Sequence, residues 1–146
     1  MGDFFDSLDV SASALSAERL RMNTISSNLA NAQTTRTPEG GPYRRKDAVF
    51  EAVPGKNFAD VLGGTLDIAL HKVQVADVIS DPNPPRMVRD PDHPDADPDG
   101  IVAMPNVNTM EEMVNLITAS RTYEANVTAM NVARNMMNKA LEIGKR

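Results

Sequence analysis

The chain contains no cysteine and no tryptophan. The first absence excludes disulfides and thiolate metal sites and leaves the redox compartment undecided. The second, with only two tyrosines and four phenylalanines, leaves few large side chains to anchor a core. Hydrophobic residues make up 41% of the 146 positions, below the usual share for a globular domain, so the length supports one core or one core with a small satellite. No apolar run approaches the roughly 20 residues that span a bilayer. The opening Met1-Gly2-Asp3-Phe4-Phe5-Asp6 is acidic and lacks the apolar stretch of a cleaved leader; Phe5 and Asp6 also fit a myristoylation signal poorly. Positive charge is in deficit, with a formal net charge of −5, which disfavours nucleic acid as a partner.

A local absence says more. No ionisable residue occurs from Met22 to Thr35, from Met113 to Ser120, or from Ala125 to Ala133. These stretches lie in two segments, 3–35 and 109–143, that read as long helices rich in Ala, Asn, Ser, Thr and Met. A solvated helix normally carries charge on its outer face, so these two are expected to be covered on most sides, more than one short chain achieves alone. In the first, Leu8, Leu15, Met22 and Leu29 recur at spacing seven, with Ile25 and Ala32 three beyond the last two; Ser11 and Glu18 interrupt the pattern. In the second, Leu116, Tyr123, Met130 and Met137 form one row and Met113, Val127 and Leu141 another, with Ala119, Ala133 and Ala140 between them. Asn108 or Thr109 suits its N-cap and Gly144 its end. Such a helix is roughly 50 Å long.

Every one of the ten prolines falls between Pro38 and Pro105. Thr37 to Pro42 signals a turn. Tyr43–Val53, Leu66–Ile79, Arg86–Arg89 and Ile101–Met104 read as extended pieces, Gly55–Gly64 as loop, and Asp90–Gly100 is too proline-rich to be helical. The expected fold is mainly α with a small β unit: N- and C-terminal helices paired as an antiparallel coiled coil (residues 1–36 plus 105–146) and a β-rich insertion between them (37–104).

Motifs for chemistry are few. Asp95-Ala96-Asp97-Pro98-Asp99-Gly100 opens like a calcium loop, but its twelfth position is Asn106 rather than a bidentate Glu, and Pro98 lies inside; calcium binding is the alternative reading, an exposed acidic turn the main one. His71 and His93 have no ligand-spaced companions. No nucleophile elbow or phosphate loop is present. Arg44-Arg45-Lys46 reads as a solvated strand edge. The asparagines of the two helices are poor helix formers; in charge-poor surroundings they are expected to set register between packed helices by donating and accepting together.

Two stretches resemble the signatures of the bacterial flagellar rod and hook axial family: Ile25-Ser26-Ser27-Asn28-Leu29-Ala30-Asn31-Ala32 and Ser120-Arg121-Thr122-Tyr123-Glu124-Ala125-Asn126. Gly41-Pro42-Tyr43-Arg44-Arg45-Lys46, the turn from Asp90 to Gly100, and Met104-Pro105-Asn106-Val107-Asn108 are similar to proximal-rod members. Thr35-Arg36-Thr37 departs from the Thr-Gly-Phe of many axial proteins. The resemblance implies a structural subunit of the proximal rod that transmits torque from the membrane ring to the hook. It implies leaderless export through the flagellar type III apparatus to a periplasmic rod, and no enzyme activity, cofactor or small-molecule substrate. The implied partners are other copies of the chain, neighbouring rod proteins and the adaptor at the membrane ring. Candidate subunit-packing residues are Leu15, Met22, Ile25, Asn28, Leu29, Asn31, Leu116, Tyr123, Asn126, Met130 and Met137.

Overall fold

The computed structural model describes residues 2–54 and 71–144, with side chains from residue 8 onward. Helix α1 runs over Gly2–Ala30 and helix α2 over Thr109–Ile143. Between them come strands β1 (Lys46–Pro54), β2 (His71–Ser80), β3 (Arg86–Arg89) and β4 (Ile101–Met104). The strands form two separate ribbons, β1 with β2 and β3 with β4. Two long helices flanking a small β insertion is the expected element order. Gly55–Gly64 and Leu66–Leu70 lie outside the described residues.

Two boundaries differ from the sequence reading, each for a local reason. Helix α1 stops at Ala30 rather than near Thr35. The Asn31 side-chain amide donates to the Ser27 carbonyl (2.9 Å), and its carbonyl accepts from the Thr34 hydroxyl (3.2 Å). The Asn31 N–H still makes the helical bond to the same Ser27 carbonyl (3.1 Å), and the ladder breaks one residue on, where Ala32 N–H turns to the Leu29 carbonyl (3.3 Å). The first strand begins at Lys46 rather than Tyr43, because Tyr43 N–H is drawn back to the Thr34 carbonyl at 3.0 Å. At the other helix the reading holds. Asn108 Oδ1 accepts from the N–H groups of Met110 (3.2 Å) and Glu111 (3.5 Å), an N-cap that satisfies otherwise orphaned donors.

The acidic segment is the loop of an antiparallel hairpin. Arg86 pairs with Met104 and Arg89 with Ile101. Asp90 N–H then donates to the Gly100 carbonyl, Asp97 N–H to Ile101 and Gly100 N–H to Asp97. Gly100 has φ +74° and sits against Pro91, a left-handed conformation that a side chain disfavours.

The chain divides into two compact units. One comprises Met1–Leu20, Phe50–Ala76 and Ser120–Arg146. Within it, Ser13 Oγ donates to the Val10 carbonyl (2.7 Å) and accepts from Val73 N–H (3.2 Å), and Lys72 pairs with Asp9, so the start of β2 lies on α1. The other comprises Arg21–Val49 and Asp77–Ala119 and holds the β3–β4 hairpin. Among the described residues, the buried apolar side chains are Ala17, Ile25, Val102, Pro105 and Ala119. The largest fully buried side chains are Glu112, Val102, Asn28 and Pro105. Two of those four are polar, an unusual interior that hydrogen bonding must justify.

Candidate subunit-contact site

On α1 the row Leu8, Leu15, Met22 and Leu29 is half-buried throughout. The most covered residues, Ala17, Ile25 and Asn28, lie to one side of that row, so the protected face is broader than the seam and displaced from its centre. On α2 the covered residues include Glu112, Leu116 and Ala119 in one unit and Tyr123, Asn126, Met130, Ala133 and Met137 in the other. Their spacing alternates four and three, a heptad stripe. Outside that stripe Asn115, Ser120 and Val127 are also half-buried, and the rest of the helix is open. Met110 is 70% exposed, Val114 60%, Ile117 55% and Met136 60%. Scattered exposed apolar side chains are ordinary on a protein surface; three of these, Met110, Val114 and Ile117, are spaced four and three apart and form a row on one helix face, which marks a contact surface.

The second feature is a polar node inside the unit formed by Arg21–Val49 and Asp77–Ala119. Asn28 Oδ1 accepts from Lys46 N–H (2.9 Å) and from the Tyr43 hydroxyl (3.0 Å). Asn28 Nδ2 donates to the Lys46 carbonyl (2.8 Å) and to Glu112 Oε2 (3.0 Å). The amide thereby uses both donors and both lone pairs, and it grips the first residue of β1 as another strand would. Glu112 Oε1 accepts from Arg45 Nε at 2.7 Å, and Arg45 Nη1 also reaches Asp47 at 3.3 Å. Burial alone works to lower the Arg45 pKa, but the hydrogen bond and charge of Glu112, joined by Asp47, outweigh it and the net displacement is upward. The carboxylate of Glu112, only 1% exposed, is therefore neutralised and hydrogen-bonded on both oxygens, the condition for burying an ion without a large penalty.

Among the sequence-derived candidates, Ile25 and Asn28 are buried, while Leu15, Met22, Leu29, Asn31, Leu116, Tyr123, Asn126, Met130 and Met137 are half-buried. The structure brings Asn28 into the node; Asn31 is engaged with its own helix end. Asn23, Asn131, Asn135 and Asn138 are exposed in the single chain. Sequence reasoning passed over Tyr43, Arg45 and Glu112. Arg45 belongs to the triplet read as a solvated edge; Arg44 and Lys46 are exposed, but Arg45 turns to Glu112. Glu112 stands in the first turn of α2, where a negative charge is ordinary. Its position four before Leu116 and seven before Ala119 was the available signal, a carboxylate standing in an apolar row.

No arrangement for catalysis accompanies these features. Among the described residues no three His, Asp or Glu side chains gather as a metal site, and Asp95 of the hairpin is engaged by Thr35 (2.7 Å) and Arg36 (4.0 Å). No helix among the described residues is long and apolar enough to cross a membrane.

Comparison with known proteins agrees with this surface-centred picture. Residues 8–36 match the family model described as flagella basal body rod protein. Residues 99–143 match that of the flagellar basal body rod FlgEFG protein C-terminal region. The flagellar basal-body rod protein FlgC of Bacillus subtilis strain 168 is 46% identical, over 97% of this chain and 98% of its own length. FlgC of Borreliella burgdorferi is 42% identical over 95% and 96%, and FlgC of Escherichia coli O157:H7 44% identical over 94% and 95%.

Proposed function

The chain belongs to the FlgC family of flagellar basal-body rod proteins, and from that premise we propose that it is a structural subunit of the proximal rod, which carries torque from the membrane ring to the hook. It is not an enzyme. The observation that most supports assembly is the open apolar row of α2, with Met110, Val114 and Ile117 each more than half exposed. Covering such a row on a neighbouring molecule contributes on the order of 25 cal/mol for each Å² of apolar surface.

In this reading residues 1–36 and 105–146 form a helical packing domain and 37–104 an outer β-rich domain. Helices α1 and α2 pair as an antiparallel coiled coil. The meeting of Asn28, near the end of α1, with Glu112, near the start of α2, fits that direction. Leu15, Met22, Ile25, Leu29, Leu116, Tyr123, Asn126, Met130 and Met137 supply the packed seam between helices and against neighbours. Asn28 and Asn31 act from within, by fixing where α1 sits and where it ends. Non-closing, head-to-tail contacts of this kind grow a helical tube. The partners are other copies, adjoining rod proteins, the adaptor at the membrane ring and, before assembly, the flagellar type III export apparatus. The location is the periplasmic rod.

The test is incorporation. In a strain lacking the gene, the wild-type chain supplied in trans should appear in isolated basal bodies and restore swimming, while Ile117→Asp should be exported and folded yet missing from them. Basal bodies complete to the hook in the absence of the chain would refute the assignment.

A further inference from the structure

The β insertion carries two charged features that subunit packing by helices does not use. The first is a cleft of about 340 Å³ whose lining includes Arg36, Thr37, Glu39, Tyr43, Arg44 and Lys46. Three of these are cations and one an acid. Arg36, Arg44 and Lys46 are exposed, and among the described residues neither Arg44 nor the Lys46 ammonium has an ion-pair partner. The second is the hairpin loop of the same unit, where Asp90, Asp92, Asp95, Asp97 and Asp99 fall within ten residues that hold no Lys or Arg. Asp92, Asp97 and Asp99 are exposed and have no ion pair among the described residues. Pro91, Pro94 and Pro98, together with the turn bonds to Gly100, fix the loop's shape, so presenting it to a partner costs little ordering.

We propose that the cationic cleft of Arg36, Arg44 and Lys46 receives the aspartate-rich hairpin of a second copy of this chain. The inference rests on the rod-subunit reading and adds to it a contact between β insertions. The chemistry is already displayed once within the chain, where Thr35 and Arg36 hold Asp95; that contact leaves Arg44, Lys46, Asp92, Asp97 and Asp99 for a neighbour. A net charge of −5 makes copies repel on approach, and matching an excess-positive cleft to an excess-negative loop offsets that repulsion while selecting one register. A cleft and a loop are two different surfaces of one unit, so their pairing between copies is heterologous, the kind of contact that builds rings or open helical assemblies.

The absence of cysteine makes a direct test available. Lys46→Cys and Asp97→Cys are combined in one full-length chain, and isolated basal bodies are treated with a short bis-maleimide. The expected product is a species of twice the 15.8 kDa chain mass, absent from either single variant. In parallel, Arg44→Glu/Lys46→Glu and Asp97→Lys/Asp99→Lys should each lower the amount of chain per basal body about tenfold, and the chain carrying all four changes should recover. The two pairs move net charge in opposite directions, so a general charge effect would weaken assembly with the first and strengthen it with the second. Unchanged incorporation of both variants, or a cross-link only to a protein other than this chain, overturns the proposal. Wild-type chain blotted in the same preparations separates the two readings: its absence refutes the rod-subunit assignment, whereas its presence without a copy-to-copy cross-link refutes only the hairpin contact.

Discussion

Asn28 and Glu112, 84 positions apart, meet through a 3.0 Å hydrogen bond where neither side chain is open to solvent. The contact ties the end of one helix to the start of the other, with the first residue of β1 held in the same amide. Most of what the unit's geometry depends on passes through these atoms, and the first tests concern them.

Asn28→Ala removes four hydrogen bonds and leaves the Lys46 peptide and Glu112 short of partners. The expected loss is about 2–4 kcal/mol of folding stability, measured as a lower urea midpoint of the monomer. Asn28→Asp keeps the shape but faces one carboxylate with another. It also replaces a donor to Glu112 with a second acceptor, so it should be at least as damaging near neutral pH.

Arg45→Met should cost about 2–3 kcal/mol, because it strands the Glu112 carboxylate in a buried position. Arg45→Met with Glu112→Leu should cost less than the sum of the singles, a coupling readable from a double-mutant cycle.

A base whose folded-state pKa lies above its unfolded value contributes stability that is complete below the unfolded value and is lost only as pH climbs through the folded one. Arg45 is displaced upward, so its contribution persists through the neutral range and disappears only in strong alkali. The stability difference between wild type and the Arg45→Met/Glu112→Leu double variant, which leaves no carboxylate stranded, should accordingly stay flat from about pH 6 to about pH 10, and a slope across that interval would contradict the assignment.

Ile117→Asp and Val114→Asp lie on the open row of α2. Each should change monomer stability by no more than about 0.5 kcal/mol while eliminating incorporation into basal bodies. Urea melts paired with immunoblots check both halves.

Gly100→Ala places a side chain at φ +74° and within 3.3 Å of Pro91. A destabilisation of about 1–3 kcal/mol is expected, confined to the hairpin and visible as faster amide exchange at Asp90 and Ile101.

Much of the architecture was legible because it is written in local signals. Charge-free stretches and seven-residue spacing mark the helices, prolines bracket the extended pieces, and Asn108 announces its cap. The node was not legible, since each member has an ordinary reading at short range. Glu112 suits a helix start by its charge, Arg45 suits a strand edge, and Tyr43 sits beside a turn. Only folding brings them together across separations of 15, 67 and 84 residues. The helix end failed differently: the sequence favoured continuing to Thr35, and the ladder tightens to an i−3 bond at Ala32 and stops.

The polar interior has a mechanical corollary. Oily helix seams look alike every seven residues, so under shear they can slip by one repeat and settle again at small cost. A carboxylate and an amide with every bond spoken for find no second seat one heptad away. Glu112 and Asn28 therefore act as a key between shaft and hub, and a part keyed in this way turns with its load and returns without backlash.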